Sequence, residues 1–121
     1  MPNHFHLIWR ISSAVKESDF QRDFLKYTAR RIIEHLEEKD FPLYSKLLVN
    51  AADRERQVWK RDSMSIPLFT DKFYKQKMNY IHNNPCQGKW MLAPSPSEYK
   101  YSSARYYEDG KDEFGIISEE I

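Results

Sequence analysis

The sequence predicts one small domain that combines β-strands with α-helices. Three observations indicate this: an apolar run with strand character near the start, several stretches with helical periodicity, and a length of 121 residues. With 40% hydrophobic residues, a chain of this length suits a single domain with a small core. We therefore expect one domain over residues 1–121.

The first predicted element is a strand over residues 5–11, which are mostly apolar and β-favouring. Side chains alternate between the two faces of a strand. His4 and His6 therefore share one face, while Phe5 and Leu7 share the other. The apolar face predicts contact with a core, and the opposite face presents two imidazoles.

Two helices are predicted next. Ser18 followed by Gln21 has the spacing of a capping box, and the apolar stripe after it predicts a helix to about residue 39. After a break at Phe41 and Pro42, apolar residues in phase predict a short helix over 43–52.

The second half of the chain begins with clear helix signals. Thr70 is a good helix cap, and the helix should end near Asn83 because Pro85 disfavours helical geometry at the residue before it. The remaining predicted pieces are short strands near residues 58–60 and 65–69, a helix near 102–107 and a strand-like segment over 114–117.

Charge is unevenly distributed along the chain. The total of +1 combines +6 over residues 1–107 with −5 over an acidic tail at residues 108–121. A basic body of this kind is typical of proteins that bind a polyanion.

Cysteine content and the first residues of the chain indicate the cellular compartment. Cys86 is the single cysteine, which excludes an internal disulfide framework and a zinc site built from several cysteines. The first residues lack the basic and apolar regions of a secretory signal, and no run of residues is apolar enough to cross a membrane. We expect a cytoplasmic protein.

Two groups of residues have the chemistry of a reactive site. His4 and His6, separated by one apolar residue, place two imidazoles within reach of one metal ion. Tyr80 and Asn84 are one helical turn apart, so the hydroxyl and the amide face the same spot. An amide oxygen is a hard ligand suited to Mg²⁺ or Mn²⁺. His82, between them, should face away and be structural.

Together these motifs resemble the HUH single-tyrosine transposases. Residues 1–9 (MPNHFHLIW) resemble the family's histidine-hydrophobe-histidine strand. Residues 80–85 (YIHNNP) followed by 99–105 (YKYSSAR) resemble the downstream signature of the branch called REP-associated tyrosine transposases. The resemblance covers nearly the whole chain, with both motifs in family order.

The resemblance implies an enzyme that nicks and joins single-stranded DNA on an α+β scaffold. That scaffold is ferredoxin-like, with an antiparallel sheet and helices on one side. The resemblance implies that His4, His6 and Asn84 hold a divalent metal, Mg²⁺ or Mn²⁺. It implies Tyr80 as the nucleophile that forms a 5′-phosphotyrosine, with hairpin DNA as the ligand.

Contacts to DNA should come from basic side chains interleaved with aromatic ones, on which bases stack. The candidates are Lys26, Arg30, Arg31, Trp59, Lys60, Arg61 and Lys77.

The sequence departs from the family at its start. Family members place a strand, a helix and another strand before the histidine strand, whereas here residue 1 lies within that motif. We therefore expect an N-terminally truncated domain that lacks its first strand-helix-strand. A strand without its neighbours exposes unpaired backbone groups, so we expect self-association, as a homodimer, through the edge at residues 5–11.

Two other functions remain open. One is a non-catalytic or degenerate module that binds single-stranded or hairpin DNA. The other is a hydrolase that uses the two histidines on a small substrate, which the lack of a carboxylate base at a suitable spacing disfavours.

Overall fold

Helices dominate the computed structural model, which describes residues 1–49 and 54–118. The chain divides into two compact units, unit 1 with Met1–Ile8 and Pro67–Ile121, and unit 2 with Trp9–Ile66. The helices are α1 (Glu17–Lys39), α2 (Phe41–Ser45), α3 (Asp71–Asn83) and α4 (Ala104–Asp109), with 3₁₀ turns at Asn84–Cys86 and Pro96–Glu98.

Helix α1 confirms the predicted helix to residue 39, but the predicted capping box is wrong. Lys16 occupies the cap position without a side-chain hydrogen bond, and Ser18 lies inside the first turn. The Gln21 amide instead donates to the Ser63 hydroxyl at 2.8 Å and accepts from the Ser65 hydroxyl at 2.7 Å. Its hydrogen bonds therefore tie α1 to a later segment of unit 2.

Aromatic side chains form the packing centre of unit 2. The Trp9 ring lies 4.8 Å from Phe20 and 5.7 Å from Phe24, measured between ring centroids, and both phenylalanines project from α1. On the same helix, the Thr28 hydroxyl accepts a hydrogen bond from the Trp59 indole N–H at 3.0 Å. The apolar stripe predicted for this helix thus gathers the aromatic residues of the unit.

Helix α2 begins earlier and ends sooner than the predicted helix over 43–52. Asp40 caps it by accepting from the Leu43 amide at 3.1 Å, and Pro42 lies in the first turn, where a missing N–H costs nothing. Proline therefore starts this helix rather than breaking it. The helix ends at Ser45, and residues 50–52 of the predicted one lie outside the described residues.

Helix α3 has the predicted start and end. The Thr70 hydroxyl caps it by accepting from the Phe73 amide at 3.1 Å. The α-helix ends at Asn83, and Pro85 then lies in the 3₁₀ turn that follows. Local signals alone determine both ends of this helix.

Unit 1 packs the inner face of α3 against the chain near α4. The buried His82 ring places Nε2 2.9 Å from the Ser103 hydroxyl, and Ala104 beside it is also buried. Burial lowers the pKa of His82, which favours the neutral ring. This hydrogen bond fixes the carboxyl-terminal half of α3 within the unit.

The predicted ferredoxin-like antiparallel sheet is wrong. Across residues 1–49 and 54–118 no segment forms a strand, and the β-pairing there is one isolated antiparallel bridge between Leu48 and Arg56. The β-favouring composition of residues 5–11 is not enough, because a strand needs a neighbour for its backbone hydrogen bonds. The predicted strand pieces at 58–60, 65–69 and 114–117 are wrong for the same reason.

Residues 114–117 instead fold around one carboxylate. Asp112 accepts hydrogen bonds from the amides of Phe114, Gly115 and Ile117 at 2.8–3.2 Å. These bonds hold the pKa of Asp112 below its usual value.

Among the helices of the described residues, none is long and apolar enough to cross a membrane.

The hydrogen bond between His82 and Ser103 should stabilise the fold measurably. We expect His82→Leu and Ser103→Ala each to lower the free energy of unfolding by about 1–3 kcal/mol, because each leaves a half-buried polar partner unpaired. The double variant should cost about 1 kcal/mol less than the sum of the two. Urea unfolding of the four proteins measures this coupling, and strictly additive losses would contradict it.

Candidate functional site

Four sequence-predicted site residues, His4, His6, Tyr80 and Asn84, lie together in unit 1. The ring centroids of His4 and His6 are 5.2 Å apart, and those of His6 and Tyr80 are 5.7 Å apart. The Asn84 amide nitrogen is 3.2 Å from His6 Nε2. Tyr80 lies in the last turn of α3 and Asn84 follows it by four residues, so one helix end presents both to the histidines.

The hydrogen bond to His4 defines which of its nitrogens is available. His4 Nδ1 lies 2.7 Å from the side-chain oxygen of Asn3. In the neutral tautomer that donates from Nδ1 to this oxygen, Nε2 carries the lone pair. Fixing one ring nitrogen with a neighbouring oxygen is how proteins orient a metal-binding imidazole.

His6 is held as a neutral ring with its lone pair at the site. Partial burial lowers its pKa, and the nearby His4 and the chain's amino terminus lower it further. His6 Nε2 lies 3.2 Å from the Asn84 amide nitrogen, and it accepts there in the tautomer whose proton is on Nδ1. Rotating the amide by half a turn would present the Asn84 oxygen at the same place.

Tyr80 is an exposed member of the site. Its residue is 52% exposed, so an external substrate reaches it without displacing packed side chains. The ammonium of Lys77 lies 6.0 Å from the Tyr80 ring centroid and 5.2 Å from that of Phe73. This positive charge favours negative charge that develops on the phenol oxygen or on a bound phosphate.

Two imidazoles and an amide are the groups here that could hold a divalent metal. The amide would contribute its oxygen, the ligand type that Mg²⁺ and Mn²⁺ prefer, and the imidazoles would contribute nitrogens. Within residues 1–49 and 54–118 no three His, Cys, Asp or Glu side chains are grouped for a metal. A cation held by these three side chains would keep coordination positions open for substrate oxygens.

The predicted DNA contacts divide between the two units. Lys77 lies beside Tyr80 in unit 1. Arg30 and Arg31 on α1 both form exposed ion pairs with Glu34, which bind weakly enough to be exchanged for phosphate. The half-buried Trp59 bonds to α1 as described above. Lys26, Lys60 and Arg61 are exposed in unit 2.

Three residues that contact the site or its neighbours were not identified from the sequence: Asn3, Lys89 and Trp90. The Trp90 ring centroid lies 5.7 Å from that of His4, and the Lys89 ammonium lies 5.1 Å from the Trp90 ring. A basic residue beside an aromatic one is the same signal that selected Trp59 and Lys60. Asn3 carries no such signal beyond being next to His4.

His82 faces away from Tyr80, as expected for a structural residue. Its ring contacts Tyr107 at 5.6 Å between centroids, in addition to its bond to Ser103. With Asn79 and Asn83, it lines a shallow groove of about 440 Å³. One face of α3 is thus packed within unit 1, and the other face is exposed.

No protein-family model, curated protein or solved structure matches the chain. The family resemblance therefore stays a prediction from the two motifs. What the structure adds is the placement of their four polar side chains at one exposed spot.

Proposed function

We propose that this protein is a metal-dependent transposase-type enzyme that nicks single-stranded DNA and joins it to a new end through Tyr80. The contact between His6 and Asn84, 78 residues apart in the chain and 3.2 Å apart in space, carries the proposal. It joins the two motifs of the family resemblance and leaves Tyr80 exposed beside them. The two motifs were identified independently of this contact.

His4, His6 and Asn84 would hold the divalent cation, Mg²⁺ or Mn²⁺. When bound, such a cation polarises a phosphate oxygen and neutralises charge that develops during phosphoryl transfer. The neutral imidazole of His6 would supply a lone pair without first losing a proton, and His4 would supply the second imidazole nitrogen. The amide contributes an oxygen and no charge, so the site keeps a positive field for phosphate.

Tyr80 would act as the nucleophile. Its oxygen bonds to phosphorus while the bond from phosphorus to the 3′ oxygen of the preceding nucleotide breaks. The phenol gives up its proton and the departing 3′ oxygen takes one up, so the step is neutral overall. The products are a 5′-phosphotyrosine and a free 3′ hydroxyl.

The reverse step would join strands. A second 3′ hydroxyl attacks the phosphotyrosine, the phenol leaves, and a phosphodiester forms with no nucleotide cofactor, because the phosphotyrosine keeps the energy of the ester. Phenols leave more readily than alcohols. Lys77, beside the ring, stabilises the departing oxygen.

The basic body of the chain would bind phosphates of the DNA strand. Residues 1–107 carry +6. Exposed basic side chains on α1 and near residue 60 would bind these phosphates. On α1 this breaks the weak surface ion pairs of Arg30 and Arg31 with Glu34.

A covalent protein–DNA adduct tests the nucleophile. Incubated with Mn²⁺ and a labelled hairpin carrying a single-stranded flank, the wild-type chain should give a labelled band that survives denaturing electrophoresis. Tyr80→Phe should give none, because it lacks the attacking oxygen. Tyr101→Phe, at a tyrosine of unit 1 that is more exposed than Tyr80, should give the wild-type yield.

Two results would contradict the proposal. One is an undiminished adduct from Tyr80→Phe. The other is the absence of an adduct from the wild type with Mg²⁺ and with Mn²⁺. If DNA binding then persists, falls with salt and survives Tyr80→Phe, the non-catalytic binding module is the function instead.

Metal binding tests two of the three proposed donors, His6 and Asn84, separately from chemistry. Mn²⁺ binding followed by electron paramagnetic resonance should weaken at least about tenfold in His6→Ala and in Asn84→Ala. Asn83→Ala is the matched control, because the Asn83 amide bonds to the backbone oxygen of Asn79 on its own helix. Equal affinities for Asn83→Ala and Asn84→Ala would exclude Asn84 as a ligand.

We also propose self-association through the side chains of residues 5–11. Phe5 and Leu7 are 42% and 48% exposed, and exposed neighbouring apolar side chains favour contact with a second copy. Light scattering after size exclusion should give a dimer mass at micromolar concentration. Leu7→Lys should shift it to monomer, whereas Leu92→Lys, elsewhere in unit 1, should not. A wild-type monomer would contradict this proposal.

A further inference from the structure

The loop at residues 87–92 lies against the candidate site. Its Trp90 ring is tilted by 57° to the His4 ring, with 5.7 Å between centroids. Trp90 is half-buried, so part of the indole stays accessible next to a proposed metal ligand. No step of the proposed chemistry uses this side chain.

Backbone hydrogen bonds hold this loop in place relative to the site. The Leu92 amide donates to the Pro85 carbonyl at 2.7 Å, and Pro85 directly follows the proposed ligand Asn84. Within the loop, the Trp90 amide donates to the Gln87 carbonyl at 3.3 Å. The indole is therefore fixed both to the turn that presents Asn84 and to the ring of His4.

A charged and movable side chain lies over the indole. The exposed Lys89 places its ammonium 5.1 Å from the Trp90 ring centroid. A cation over an aromatic ring at an exposed site gains little energy and is easily displaced. The next residue, Met91, is 66% exposed and has a φ of 40°, a conformation that side-chain-bearing residues rarely adopt. Such strain is common at binding sites.

We propose that Trp90 is a stacking platform for one unpaired nucleobase adjacent to the phosphate at His4, His6 and Asn84. The inference rests on the proposed function and adds a base subsite to it. On binding, the base replaces the Lys89 side chain over the indole, and the ammonium moves to the neighbouring phosphate. Because every base has a flat aromatic face, this subsite accepts any base and positions the strand without reading its sequence.

Binding to single-stranded DNA in a chain that cannot react tests the platform. In the Tyr80→Phe background, fluorescence anisotropy with a labelled oligothymidine measures affinity free of any covalent step. Trp90→Leu should weaken binding about tenfold, while Trp90→Phe, which keeps an aromatic face, should lose much less. Tyr101→Leu, which removes an exposed aromatic ring elsewhere in unit 1, should bind as the background does.

An abasic scan distinguishes stacking from a structural effect. One nucleotide at a time is replaced by an abasic site. At one position this replacement should weaken DNA binding by the chain that keeps Trp90 about tenfold, and it should leave binding by the Trp90→Leu variant unchanged. If the indole only supported the fold, the Trp90→Leu variant would bind every abasic strand more weakly by the same factor. If Trp90→Leu fails to fold, photocrosslinking from 5-iodouracil at each position to Trp90, located by mass spectrometry, decides the question in the unmodified chain.

The outcomes separate this inference from the proposed function. An adduct at Tyr80 with no abasic position specific to Trp90 overturns the platform alone. DNA binding with such a position but no adduct overturns the chemistry alone and keeps the platform. A wild-type chain that neither binds single-stranded DNA nor forms an adduct overturns both.

Discussion

The contact between His6 and Asn84 is the constraint on which the site depends. It brings the first residues of the chain, which belong to no helix or strand, to the end of α3. Without it, two imidazoles and a phenol would be unrelated surface groups. With it, the rings of His6, His4 and the exposed Tyr80 lie together at one end of α3.

Local signals predicted the helices, and pairing between distant segments could not be predicted in the same way. The Thr70 cap and Pro85 mark both ends of α3 because each acts on its own neighbours. Residues 5–11 have the composition of a strand, yet a strand exists only where another segment supplies hydrogen bonds. In the described residues none does so, and the predicted sheet is absent there.

The contacts of the site also divide into those that local spacing predicts and those that it does not. Tyr80 and Asn84 share a face because they are four residues apart on one helix end, which spacing predicts. That the same face would meet His4 and His6 followed only from the family resemblance. Trp90 reaches His4 through the turn at Pro85, and nothing in local periodicity encodes that contact.

The two faces of α3 explain how an exposed phenol is held in a defined position. Successive helical residues are about 100° apart, so Tyr80 and His82 point to nearly opposite sides of the helix. His82 is buried and bonded to Ser103, which fixes the rotation of the helix about its axis. Tyr80 is then positioned by the buried face behind it together with its contact to the His6 ring. A side chain on a helix anchored in this way keeps its direction while staying open to solvent.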